Sequence, residues 1–148
     1  MLWYAGANTT LNAGLGRTPG QPYYQIGLAY SADGKSFTRY APGLTNKPGL
    51  VLIAKTEIFR NLPGTFTDGT VADPSVLYKD NTFHLWFSSW ATGTLNGNPS
   101  DLAFGISHLT STDGITWNTT HDNPLSSLFK PSELAGGRDP SVIYNPTT

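Results

Sequence analysis

Residues 72 to 89 read ADPSVLYKDNTFHLWFSS, and the first part of this stretch returns as RDPSVIY at residues 138 to 144. Both segments consist of an Asp-Pro pair followed by apolar and β-branched residues, which is a composition typical of strands. In the longer stretch, Lys79-Asp80-Asn81 separates PSVLY from an aromatic run, so it predicts a turn between two strands. The Asp-Pro segment therefore predicts a strand at two places in the chain.

Two further motifs repeat in the same order. LWYAG at residues 2 to 6 matches LWFSS at 85 to 89, and YSADGKSF at 30 to 37 matches TSTDGITW at 110 to 117. The Asp-Gly pair inside the second motif is a tight-turn signal, so it predicts a further hairpin in each unit. Motifs that recur in one order indicate an internal repeat, here of a four-stranded antiparallel unit.

The predicted strands carry apolar residues on both faces. His84 and Trp86 share one face of the aromatic strand, while Leu85 and Phe87 share the other. Both faces must therefore be covered, and Trp86 is expected in the core. No segment has the period and length of a helix, so the expected class is all-β. A β-propeller, whose four-stranded blades cover one another, fits better than a β-sandwich, whose strands have one solvated face.

Residues 1 to 148 are expected to form a single partial propeller unit with about two blades. Residues 1 to 41 would supply strands two to four of one blade, residues 72 to 120 a complete blade, and residues 138 to 145 the first strand of a further blade. Open blade edges favour association, so we expect a homo-oligomer in which another copy completes the shared blades. The alternative is that the sequence is a piece of a longer enzyme.

Composition excludes several classes of function. The 148 residues carry a formal net charge of −1, which argues against a nucleic-acid partner. No stretch approaches the ~18 apolar residues of a membrane span, so no membrane partner is expected. The chain has no cysteine and therefore no disulfide framework or thiolate metal site. The compartment stays open, since secretion would need only a signal peptide outside this sequence.

Three segments resemble the five-bladed β-propeller glycosidases of glycoside hydrolase family 43 and relatives such as family 32. They are GTVADPSVLYKDNTFHLWFSSW at 69 to 90, GISHLTSTDGITW at 105 to 117 and GGRDPSVIY at 136 to 144. The resemblance leaves residues 7 to 22 and 42 to 68 outside it. It implies a propeller fold and carboxylate-based hydrolysis of arabinan, xylan or fructan glycans at the mouth of a central channel.

The resemblance also implies roles for individual residues. Asp73 matches the general base of the family, and Asp139 matches the auxiliary Asp that tunes pKa values and orients the acid. Arg138 would hold a carboxylate ionised or contact a sugar hydroxyl. The acid of the family is a Glu from a later blade. The chain has only Glu57 and Glu133, both in predicted loops, and Glu133 is the candidate because it precedes Asp139 closely.

Other readings of these residues stay open at this point. A recurring Asp-Pro is also explained by a structural role, in which the carboxylate accepts backbone N–H bonds at the start of a strand. Trp90 is a candidate for stacking on a sugar ring. His84, His108 and His121 lack metal-ligand spacing, so neither a metal site nor a cofactor is predicted.

Two classes of function therefore compete. One is a glycoside hydrolase, or the part of one that carries the base and the auxiliary Asp. The other is a noncatalytic propeller module that binds glycan or only assembles with itself. The fold alone does not decide between them, because one scaffold can host both.

Overall fold

The computed structural model describes residues 1–8, 23–40, 49–52, 65–95, 98–118 and 138–146. Its strands are β1 (Leu2–Asn8), β2 (Tyr23–Tyr30), β3 (Thr38–Arg39), β4 (Leu50–Leu52), β5 (Thr65–Lys79), β6 (Thr82–Leu95) and β7 (Asn98–Ser111). These described residues contain no helix, and the prediction of an all-β chain is confirmed. It follows that no described helix is long and apolar enough to cross a bilayer.

The strands form two antiparallel sheets. In the first sheet, β1 pairs with β2, and β2 also pairs with β3 and β4. The second sheet has the order β5-β6-β7. Of the expected fourth strand, the described residues, which stop at Asn118, show one bridge between Thr110 and Asn118. Residues 41 to 71 are rich in Pro, Gly, Asn and Ser, which predicts a long loop, but β4 and the first part of β5 lie within this stretch. Short runs there pair through long-range contacts despite that composition.

The predicted turns are present. Asp80 and Asn81 have φ values of 50° and 59° and link Lys79 to its cross-strand partner Thr82, as in a two-residue hairpin turn of type I′. Gly34 and Gly114 likewise have positive φ values of 71° and 72°. Each glycine therefore supplies a left-handed conformation that a side chain would strain.

The hydrophobic core lies between the two sheets. Its buried members are Ile26, Leu52, Val71, Leu85, Phe87, Leu109 and Trp117. Each such side chain contributes roughly 1.5–3 kcal/mol by leaving water, so this layer is the main stabilising contact between the sheets. Thr70 adds a polar link, since its hydroxyl accepts a bond from the Tyr24 N–H at 2.7 Å and donates to the Tyr24 carbonyl at 2.9 Å.

Trp86 does not join the core, contrary to expectation. The pleat of β6 directs Leu85 and Phe87 toward the first sheet, so Trp86 and His84 point to the opposite face. Both side chains are only half-buried there. The described residues thus cover one face of the second sheet fully and the other in part.

Residues 138–146 form no strand, although a first strand was expected there. The segment lies beside β5, where the Val142 N–H donates to the Ser75 hydroxyl at 3.0 Å. Further along, Lys79 Nζ lies 4.7 Å from the centre of the Tyr144 ring. The two Asp-Pro segments are therefore neighbours in space, held by side chains rather than by a backbone ladder.

Candidate functional site

The first Asp-Pro pair forms a bulge in β5. Cross-strand pairing joins Ala72 to Ser88 and Ser75 to Trp86, so Asp73 and Pro74 together face one residue of β6. Proline has no N–H to give to a ladder, and within sheets it is tolerated at such irregular positions. A bulge bends its strand and turns a side chain away from the regular alternation. The sequence thereby directs the Asp73 carboxyl out of the sheet pattern.

Both Asp residues have the same unusual backbone conformation. Asp73 has a φ of 51° and Asp139 a φ of 56°, each directly before a proline. This left-handed conformation costs roughly 1–3 kcal/mol in a residue other than glycine, although Asp tolerates it better than most. Such strain is concentrated at functional sites, where the surrounding contacts hold it in place.

Ser88 connects the two segments. Its side chain is fully buried, its hydroxyl accepts a hydrogen bond from the Asp139 N–H at 2.8 Å, and it bonds to the Asp73 carboxyl. Since the backbone N–H can only donate, the hydroxyl proton remains available for the carboxyl. One serine thus fixes both the backbone of Asp139 and the side chain of Asp73.

The Asp139 carboxyl lies near enough to Asp73 to affect its pKa. Burial raises the pKa of Asp73, and the hydrogen bond and charge of Asp139 raise it further. The Ser88 bond and the Arg138 charge act in the opposite direction without reversing the shift. Burial and a neighbouring carboxyl both disfavour the ionised form, so the surroundings of Asp73 favour its protonated form more than water does.

The carboxylates of the two Asp-Gly turns behave in the opposite way. Asp33 is exposed, and the N–H groups of Ser36 and Lys35 lower its pKa to about 2. Burial raises the pKa of Asp113, but its bonds to the backbone of the following residues and to Ser111 outweigh that effect and lower it. The two carboxylates that accept hydrogen bonds within a turn therefore have lowered pKa values, whereas that of Asp73 is raised.

The remaining predicted site residues are placed as follows. Arg138 is exposed and near enough to Asp73 to lower its pKa. Glu133 lies outside the described residues, and of Trp90 only the backbone in β6, opposite Thr70, is described. Within the described part of the chain, no group of three or more His, Asp or Glu residues could hold a metal ion.

A second cluster lies on the half-buried face of the second sheet. His84 Nδ1 is 3.1 Å from His108 Nε2, so one imidazole donates a hydrogen bond to the other. The ring of Trp86 stacks on His108 with centroids 4.6 Å apart. This cluster joins β6 to β7, while His121 lies outside the described residues.

The sequence argument missed Ser88. The signal was present, because LWFSS has Ser88 where the matching LWYAG has Ala5. A small polar residue at an otherwise apolar strand position opposite an Asp-Pro pair marks a buried hydrogen-bond partner. Ser75, which bonds to the terminal segment, lies within the Asp-Pro motif itself and was read only as part of a strand.

Comparison of the chain with protein-family models, with curated proteins and with solved structures finds no match in any of the three.

Proposed function

We propose that this chain contributes the basic half of a glycoside-hydrolase-like site, with Asp73 as general base and Asp139 as auxiliary carboxyl. The carrying observation is that Ser88 holds the Asp73 side chain and the Asp139 backbone side by side, where burial and the neighbouring Asp139 raise the pKa of Asp73. Carboxylates that only stabilise a turn have lowered pKa values, as Asp33 and Asp113 do. A raised pKa instead brings the carboxyl closer to the range in which it can accept a proton during a reaction.

The chemistry needs one more group. In hydrolysis by a general base, Asp73 would take a proton from water while the water oxygen bonds to the anomeric carbon and the bond to the leaving oxygen breaks. The leaving oxygen must receive a proton from an acid. The two carboxyls that flank a scissile bond lie roughly 5–9.5 Å apart with the sugar between them, whereas Asp73 and Asp139 are neighbours held by the same Ser88 hydroxyl. Both therefore belong to one side of the reaction, and Glu133 remains the proposed acid.

The resemblance to glycoside hydrolase family 43 supports the same division of roles. In that family an Asp at the position of Asp73 is the base, and one at the position of Asp139 is auxiliary. Arg138, beside the pair, is suited to contact a sugar hydroxyl or to limit the rise in the Asp73 pKa. The adjacent Asp-Pro segments also fit the inner strands of neighbouring propeller blades, for which arabinan, xylan and fructan glycans are the proposed substrates.

The test is hydrolysis of nitrophenyl arabinofuranoside, nitrophenyl xyloside and fructan by the wild type and two variants. Asp73→Asn is expected to lower the rate at least about 100-fold, since a general base contributes roughly that much. Asp33→Asn changes an exposed turn carboxylate and serves as the matched control. Equal loss in both variants, or no loss in Asp73→Asn, would remove Asp73 from the mechanism.

A stability measurement separates this role from a structural one. Because its folded pKa is raised, Asp73 contributes stability below its unfolded pKa that is lost as the pH rises through the folded value. Asn would keep an acceptor for Ser88 and give Asp139 a permanent donor. Asp73→Asn is therefore expected to be at least as stable as the wild type at pH 7, whereas a structural carboxylate would leave it less stable.

The alternative is a noncatalytic module that binds glycan. Wild type that binds oligosaccharides of these sugars but hydrolyses none of the substrates would favour it. Binding measured by calorimetry, with the same Asp73→Asn and Asp33→Asn pair, distinguishes the two functions.

A further inference from the structure

The first sheet buries one of its faces against the second sheet. Ile26 and Leu28 on that face are fully buried. Trp3, on the same face, donates from Nε1 to the Gly114 carbonyl at 3.0 Å, and its ring lies 5.6 Å from that of Phe83. Among the described residues, this contact is the interface between the two sheets.

The second sheet has a matching face that is only half-buried. The cross-strand pairs correspond one to one: Trp3↔Leu28 and Ala5↔Ile26 in the first sheet, Trp86↔His108 and Ser88↔Ile106 in the second. Trp86, Ile106 and His108 are therefore placed on their sheet as Trp3, Ile26 and Leu28 are on theirs. What differs is that no third sheet covers them among the described residues.

The complementary face is exposed in part, since Ala29 and Gln25 on it are buried but Leu2 and Phe37 are not. The pair Leu2↔Ala29 of the first sheet corresponds to Leu85↔Leu109 of the second, and Phe37 corresponds to Trp117. In the second sheet, Leu85 is fully buried and Trp117 is 7% exposed. In the first sheet, Leu2 is 43% exposed and Phe37 is 44% exposed. Two large apolar side chains at core-equivalent positions are thus in contact with water.

The two Asp-Gly turns show the same difference. A Cβ added to Gly114 would come 2.9 Å from Trp3 Cζ2, while a Cβ added to Gly34 would meet nothing within 4 Å. The two glycines have nearly the same φ and occupy equivalent turns. The space beside Gly34 is therefore unfilled where its counterpart receives a tryptophan.

We propose that a second copy of this chain docks on the first copy. The face of the second copy's first sheet that carries Leu2 and Phe37 would cover the face of the first copy's second sheet that carries Trp86 and His108. The contact would repeat the interface between the two sheets of one chain, with Trp86 Nε1 donating to the Gly34 carbonyl of the second copy. Such a contact is heterologous, because the two surfaces differ, and it leads to a closed ring or a growing chain of copies. A second copy is the chosen occupant because this sequence already carries the complementary face.

The segment 138–146 supports the same arrangement. Ile143 in this segment is 87% exposed, and the segment makes no ladder within the described residues. It matches the part of β5 that pairs with β6, so it would pair in the second copy with the edge of β1 that has no strand beside it in the described part of the chain. By that register, Val142 would lie opposite Leu2, as Val76 lies opposite Leu85. A backbone ladder would then add to the apolar contact.

The test uses one charge substitution on each face. Phe37→Glu blocks the first-sheet face, and His108→Glu blocks the second-sheet face. Thr112→Glu adds the same charge on an exposed turn and is the control. Light scattering with size exclusion at about 0.1 mM protein is expected to give oligomers for the wild type and the control, and monomers for each blocked variant.

Mixing the two blocked variants makes the test specific. Each retains the face that the other lacks, so the mixture is expected to form a 1:1 dimer and nothing larger. Circular dichroism shows whether each variant folds, and Leu2→Glu replaces Phe37→Glu if that one does not. A monomeric wild type, or a mixture of folded variants that stays monomeric, would overturn the proposal.

Discussion

The hydroxyl of Ser88 offers a sharp test of how the carboxyl pair is held. Ser88→Ala removes the bond to the Asp139 N–H and the bond to the Asp73 carboxyl, and it leaves no cavity larger than one oxygen atom. A neutral hydrogen bond contributes about 0.5–1.5 kcal/mol and one to a charged group about 1.5–3 kcal/mol. Because Asp139 is exposed and water can replace part of the loss, we expect a total of about 2–3 kcal/mol.

The loss should depend on pH. The Ser88 bond lowers the pKa of Asp73, which means that it favours the ionised carboxyl. Removing it makes the folded protein bind a proton more tightly, so the stability of the variant relative to the wild type improves as the pH falls. Below the folded pKa of Asp73, the serine bonds to a neutral carboxyl, and the expected loss shrinks to about 1–2 kcal/mol.

The assay is urea denaturation at pH 7 and at pH 3, with Ser89→Ala as the control. Ser89 is also buried, but its hydroxyl bonds to the neutral Ser107 hydroxyl at 2.7 Å and to the Gly105 carbonyl. Its removal should cost a similar amount at both pH values. At pH 7 the midpoint of Ser88→Ala is expected to fall by about 1 M urea. A loss under about 0.5 kcal/mol, or a pH dependence equal to that of Ser89→Ala, would refute the proposed bridge.

Two other predictions concern the turns. Asp113→Ala is expected to lower the free energy of unfolding by about 1–3 kcal/mol above pH 4. Because the pKa of Asp113 is lowered in the folded protein, its contribution is lost as the pH falls through the folded value. A difference in urea midpoints that stays constant from pH 7 to pH 2.5 would contradict this. In dilute protein, Gly114→Ala should lower the free energy of unfolding by about 1–3 kcal/mol more than Gly34→Ala does, because only the Gly114 substitution places a Cβ against Trp3. Equal melting temperatures for the two variants would count against this prediction.

The sequence predicts much of the fold because its signals are local. Asp80-Asn81 and the Asp-Gly turns depend on residues that tolerate positive φ, so their positions could be assigned from the sequence. The all-β class likewise follows from short β-branched and aromatic runs between turns. The boundaries of β5 could not be predicted, because its first residues pair with β6 through a long-range contact rather than through their own preference.

The site was predictable only in part, for a related reason. The repeat brought Asp73 and Asp139 to attention, and the structure brings them together. Their proximity, however, depends on Ser88, which lies on another strand and holds the second segment by its backbone. A sequence pattern identifies chemical groups, whereas the bulge and the serine that orient them are properties of the folded sheet.

The Asp-Pro unit links the fold to the chemistry of this chain. Proline ends the regular ladder, and the bulge frees the preceding Asp from the alternation of the strand. Left-handed backbone and a raised pKa both cost stability, and neither would persist unless nearby contacts compensated for it. In β5 that compensation comes from Ser88. The second Asp-Pro segment, at residues 139 and 140, would instead face β1 of a docked copy. The residue of β1 that corresponds to Ser88 is Ala5, which has no hydroxyl. The two Asp residues would then have unequal surroundings, which is the condition for one to act as base and the other as its auxiliary.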